Sequence, residues 1–186
     1  MDGLAGKIAA RVQSERLARN WSLAGLASRS GVSKAMLSAI ERGETSPTAI
    51  LLVRIAAAFG KTLSTLIAQA EGTGGNLARA DVQPVWTDPE TGYIRRHLSP
   101  QTDMPLELVR VELPAGARVS LPASSYAFIR QQIWLIEGRL DFFEGTAVHH
   151  MEPGDCLALG PPSDCTFFAP GPGAARYVVA VLTKGQ

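Results

Sequence analysis

The run LAGLASRSGVSKAMLSAIERG, residues 23–43, decides how the first third of the chain folds. Leu23, Leu26 and Ala27, and later Leu37 and Ile40, recur at intervals of three and four, which stacks each set on one face of a short helix. Ser22 precedes the first helix and Ser33 the second, and each hydroxyl is placed to cap orphan backbone N–H groups. Gly31 closes the first helix, where a left-handed backbone is tolerated only without a Cβ. Ala27 is small where the two helices cross, Val32 plugs the corner, and Leu37 with Ile40 anchors the second helix. Such a pair leaves the N-terminal face of its second helix free to enter a DNA major groove.

The same period extends outward. Ile8 and Val12 precede the pair, and Leu52, Ile55, Ala56 and Phe59 follow it. Gly43 ends the third helix, while Ser46 with Pro47 predicts a cap with proline at the first helical position, opening a helix that runs to Gly60. The expectation is five short helices up to Gln69 and a compact all-α domain over residues 1–70. Residues 71–80, EGTGGNLARA, read as a linker. Over residues 81–186 the texture changes to short β-prone runs (ELVRVEL, FIRQQIWLIEG, RLDFFEG, CLALG, CTFFA and RYVVAVL) alternating with Pro and Gly turns. That spacing predicts an antiparallel sandwich or barrel. The fold class is thus α+β multidomain.

Composition sets outer bounds. A chain of 186 residues that is 46% hydrophobic has enough apolar surface to fold, and no run approaches the roughly 18 apolar residues of a bilayer span. Lys7, Arg11, Glu15 and Arg16 interrupt the apolar N-terminal residues, so no secretory core is expected and a cytoplasmic location follows as the expectation. The net charge of +1 divides unevenly. Residues 1–70 hold nine bases and four acids, or +5, and the remainder hold nine bases and thirteen acids, or −4. A basic head on an acidic body fits a head that meets a polyanion, although a solvated basic surface gives the same sum.

Residues 8–67 resemble the lambda-repressor-like, Xre-type DNA-binding domain. The resemblance rests on SKAMLSAIERGETSPT followed by LLVRIAAAFG and covers about a third of the chain. It implies that Ser33, Lys34, Ala35 and Ser38 face base edges or nearby phosphates, with Ala39 at the margin. Lys34 is then placed to donate to guanine and the Ala35 methyl to touch a thymine methyl. Ser22, Arg42 and Thr45 become candidate phosphate contacts. The resemblance also pairs Arg16 on the first helix with Glu41 at the end of the third, a structural tie.

The C-terminal half resembles a small cupin, a double-stranded β-helix or jelly-roll barrel. The segments carrying this are Pro114-Ala115-Gly116 through Trp134-Leu135-Ile136-Glu137-Gly138, and Met151-Glu152-Pro153-Gly154-Asp155 through Phe167-Phe168-Ala169-Pro170-Gly171. Aligned on Gly138 and Gly154-Asp155, the family's four metal-ligand positions fall on Ser124, Tyr126, Gln131 and Cys165. None is a histidine or carboxylate, a poor donor set for a first-row metal. His149 and His150 read as a turn pair and His97 as lying before the barrel proper, so no metal and no cofactor is expected. The four aligned residues instead become candidate linings of a small-molecule pocket. Cys156 and Cys165 are expected on neighbouring strands as ordinary buried thiols, with a redox switch the weaker alternative.

Together these readings imply a non-enzymatic transcriptional regulator. Its head binds an inverted-repeat operator in double-stranded DNA, and its body senses a small-molecule effector and supports a homodimer. Two alternatives stay open: a metal-free body that serves only for dimerisation, and a cupin enzyme fused to a DNA-binding head.

Overall fold

The computed structural model describes residues 4–63, 65–67, 76–100, 102 and 104–183. The chain divides into two compact units, residues 1–73 and 74–186. Of the linker expected over 71–80, residues 71–75 lie outside the described residues. Among the described residues no helix is long and apolar enough to cross a membrane.

The first unit contains α1 (Leu4–Ala18), α2 (Leu23–Ser30), α3 (Lys34–Glu41) and α4 (Ala49–Ala58). Leu63 and residues 65–67 are again helical, in the place of the fifth helix; residues 64 and 68–70 fall outside the description. Ser22 caps α2 by accepting from the Gly25 N–H, and Ser33 caps α3 by accepting from the Met36 N–H. Gly31 ends α2 at φ +67°, so the chain reverses with no Cβ penalty. Leu26, Val32, Leu37, Ile40, Leu52 and Ile55 are all buried and form the centre of this core. The start of α4 differs from expectation. Its cap position is Thr48, in extended conformation and without a side-chain cap bond, so Ser46 and Pro47 precede the helix instead of opening it. The extended backbone of Thr48, at ψ 164°, interrupts the turn that Pro47 was expected to start.

The second unit is a sandwich of two antiparallel sheets. Its strands are β1 (Val85–Thr87), β2 (Ile94–His97), β3 (Leu106–Leu113), β4 (Arg118–Leu121), β5 (Ile129–Glu137), β6 (Leu140–Glu144), β7 (Ala147–Met151), β8 (Cys156–Ala158), β9 (Cys165–Phe168) and β10 (Ala175–Thr183). One sheet runs β1-β2-β3-β10-β5-β8 and the other β4-β9-β6-β7. Alternation sends Val109, Val111, Ile133, Leu135, Tyr177 and Val179 inward from the first sheet. Val119, Phe142 and Phe167 meet them from the second. Phe167 joins the layers: it packs edge-on to Phe142 at 4.8 Å and stacks on Tyr177 at 5.8 Å.

Three sequence assignments are corrected here. His97 belongs to the larger sheet, paired with Val109 through β2, rather than preceding the β fold. His149 and His150 lie in β7, not in a turn, and as strand neighbours they take opposite faces. Cys156 and Cys165 stand on strands of different sheets, the first exposed and the second buried, so they are neither neighbours nor both buried.

Candidate nucleic-acid interface and pocket

In the helical unit, the Ser33 cap fixes where α3 begins and therefore which side chains its first turn presents. Leu37 and Ile40 turn into the core, leaving Ser33, Lys34 and Ala35 exposed and Ser38 half-buried at the same end. Met36 is also exposed, on the other flank of the helix. It had not been singled out because a methionine beside Leu37 looks like core until the helix phase is fixed. Ser22 is exposed at the start of α2, and Thr45 is half-buried after α3. Ser22 thus stands at the N-terminus of α2 and Ser33 and Lys34 at that of α3, where backbone N–H groups and the helix dipole favour phosphate oxygens.

Arg42 is placed differently from a free phosphate ligand. Its Nε and Nη2 donate to the two Glu44 carboxylate oxygens at 2.6 and 2.7 Å, and its Nη1 donates to the Ser38 hydroxyl. The hydrogen bonds with Glu44 raise the Arg42 pKa and lower that of Glu44. To reach a phosphate, Arg42 has to leave that carboxylate.

Behind this surface sit two charge clusters. Arg16 holds Glu41 through paired bonds of 2.7 and 2.8 Å and donates a third, of 2.8 Å, to the Trp21 carbonyl. The second cluster is centred on Glu15, a buried residue that sequence reading passed over. Its carboxylate accepts from Lys61 Nζ at 2.8 Å and from Arg11 and Arg19. Burial alone raises its pKa, but hydrogen bonds from Lys61 and Arg19 and the charge of Arg11 bring it below the ordinary value. Arg19 also bonds the Phe59 carbonyl at 3.0 Å, tying α1 to the end of α4.

In the β unit, Tyr126, Gln131 and Cys165 line one shallow surface cleft, together with Arg130, Glu144 and the Leu159–Ser163 loop. Ser124 does not join them. The stretch Ala123–Tyr126 is a 3-10 turn in which Ser124 is exposed while Ser125 and Tyr126 turn inward. A strand-based alignment has no means of anticipating that turn. The Tyr126 hydroxyl is buried against the Cys165 thiol, a weak acceptor, and makes no regular hydrogen bond among the described residues. Burial pushes the Tyr126 phenol well up, and the neighbouring thiol adds to it. Burial likewise raises Cys165, although Ser163 and Tyr126 pull it partly back. A thiol held protonated is a poor nucleophile. Glu144 accepts from the Gly160 N–H at 2.7 Å, so the cleft wall is fixed at that point. Among the described residues no three His, Cys, Asp or Glu side chains are grouped to hold a metal ion.

Residues 12–66 match the family model described as helix-turn-helix. The HTH-type transcriptional regulator SutR of Escherichia coli (strain K12) is 45% identical over 67 residues, 36% of this chain and 38% of that protein. The match therefore spans well under half the length of that relative. The crystal structure of an HTH_3 family transcriptional regulator from Vibrio cholerae superposes with a TM-score of 0.80 over 98% of both chains, at 23% identity. The present chain shares the two-unit fold of that structure. A cupin-2 domain protein from Rhodospirillum rubrum gives a TM-score of 0.49 at 16% identity, over 61% of this chain and 78% of that one.

Proposed function

We propose that the chain is a sequence-specific DNA-binding transcriptional regulator that acts inside the cell. The observation that carries this reading is the exposed first turn of α3, with Ser33, Lys34 and Ala35 uncovered beyond a core-anchored Leu37 and Ile40. Inserted in a major groove, Lys34 donates to base acceptors, Ala35 meets a thymine methyl, and Ser22 and Thr45 position the backbone. One head of this size makes few contacts, so two heads related by a two-fold axis read an inverted repeat. Selection of bound fragments from random DNA, followed by gel shift at moderate salt, tests the reading. Recovery of an inverted repeat is expected, and failure to enrich any sequence overturns it.

The β unit supplies the pairing and takes a small effector in the Tyr126–Gln131–Cys165 cleft. Effector binding shifts DNA affinity only if it favours one placement of the two heads. A second reading, in which this unit only pairs, draws support from the filled interior, where Phe142, Phe167 and Tyr177 pack ring to ring. A thermal-shift screen of metabolites separates the two: a saturable rise in midpoint favours the effector, and its absence favours pairing alone.

A further inference from the structure

The outward faces of the two sheets are covered differently. On the smaller sheet, Arg118 lays its guanidinium over Phe143 at 5.1 Å and over Phe168 at 4.4 Å, so the chain shields its own aromatic surface. The larger sheet has no such cover among the described residues. Register sets Leu182 between Leu106 and Arg130, Ala180 between Leu108 and Gln132, and Val178 between Arg110 and Trp134 in successive rows. Leu106, Leu108, Leu182 and Trp134 are all exposed, Trp134 by 51%. An antiparallel sheet with one wet face ordinarily places polar residues there. The charged row at the end of this patch is already satisfied, since Arg176 bridges Glu112 at 3.0 Å and Glu137 at 2.7 Å.

We propose that this outward face of the six-stranded sheet, centred on β10, is the surface on which a second copy of the chain docks. The proposal rests on the two-fold reading above and gives it an address. Size supports it. Strands of eight and nine residues at about 3.3 Å per residue and about 4.8 Å spacing, with the short strands beside them, present roughly 500–600 Å² of flat area. Raised side chains bring the accessible area toward the ~800 Å² per partner of a stable interface. Shape supports it as well: small Val178 and Ala180 occupy the centre, Leu106, Leu108, Leu182 and Trp134 stand around them, and Arg110, Gln132 and Arg130 add polar groups at the edges. A two-fold axis along β10 lays the β5 half of one copy over the β3 half of the other. Trp134 then meets the partner's Arg110 and Leu108, a stacking arrangement of the residue types that dominate interface cores.

The test is the mass of the full chain in solution by light scattering, for wild type and for Trp134→Arg, Leu108→Arg and Val148→Arg. Val148 is exposed on the other sheet and is the control. Circular dichroism checks that each variant is folded, and either interface variant suffices if the other is not. The expected result is a wild-type dimer, at least tenfold weaker association in the two interface variants, and no change in Val148→Arg. A wild type that stays dimeric in both interface variants, or an equal loss in Val148→Arg, overturns this face while leaving two-fold pairing intact. A monomeric wild type at tens of micromolar, with the face covered by the chain's own helical unit or by solvent, overturns the face and the two-fold reading together.

Discussion

The Arg16 guanidinium engages the Glu41 carboxylate through two parallel hydrogen bonds, joining the last turn of the first helix to the last residue of the third. The two side chains are 11% and 5% exposed. The helix that presents Lys34 is therefore held at its far end by a charge pair, while Leu37 and Ile40 hold its underside. The hydrogen bonds to Glu41 outweigh burial and raise the Arg16 pKa, so the guanidinium stays charged throughout any accessible pH range.

Removing one partner strands the other in a poorly hydrated site. Glu41→Ala is expected to cost about 3–5 kcal/mol, read as a lowered urea midpoint. An unchanged midpoint would show that the pair contributes orientation and not stability.

Glu15 makes stability pH-dependent. Its folded pKa lies below the ordinary 4.5, so its contribution is complete above that value and is lost as pH falls through the depressed one. Glu15→Gln should lower the thermal midpoint at pH 7, and the difference from wild type should shrink as pH falls through the depressed pKa. Parallel pH profiles for variant and wild type would remove Glu15 as the titrating group.

Charge changes on the candidate DNA face should act in opposite directions. Lys34→Ala is expected to weaken specific binding by about 1–3 kcal/mol if the side chain reads a base. If it meets a phosphate, the salt dependence loses about one unit of slope instead. Glu44→Gln releases Arg42 and removes a negative charge, so affinity should rise at low salt. Gel shifts at several salt concentrations check both, and tighter binding by Lys34→Ala would contradict the placement of α3.

Gly138 turns the chain between β5 and β6 at φ +83°, and a Cβ there would lie 2.3 Å from the Ala174 carbonyl oxygen. Because the obstacle is backbone and not a flexible side chain, Gly138→Ala should destabilise by at least about 1–3 kcal/mol. Chemical denaturation measures it, and a neutral result would mean that the 174–175 segment yields freely.

How much of this was legible in sequence depended on how local the signal was. The helical unit declared itself because caps, apolar spacing and Gly31 all act within one or two turns. Glu15 stayed hidden because, although Arg11 and Arg19 flank it one turn away on either side, Lys61, which completes the cluster, is 46 residues away. Strands β2 (IRRH) and β7 (AVHHM) were missed because their polar residues break the apolar alternation that marks a strand. Three of the four residues assigned to the pocket do line one cleft, since the hairpin-flanking glycines set the frame. Ser124 does not, because a 3-10 turn shifts the phase between two strands.

Tyr126 offers the most discriminating variant in that cleft. A buried hydroxyl without a regular partner costs roughly 1–3 kcal/mol, so Tyr126→Phe should leave stability level or raise it. A donor held only by a weak thiol acceptor beside the cleft is a group that a bound effector can satisfy. With any metabolite that raises the wild-type thermal midpoint, Tyr126→Phe should then raise the apo midpoint while shrinking the ligand-induced shift. A variant less stable than wild type would mean that the hydroxyl is already paired in the folded chain, and an undiminished shift would move the effector away from Tyr126.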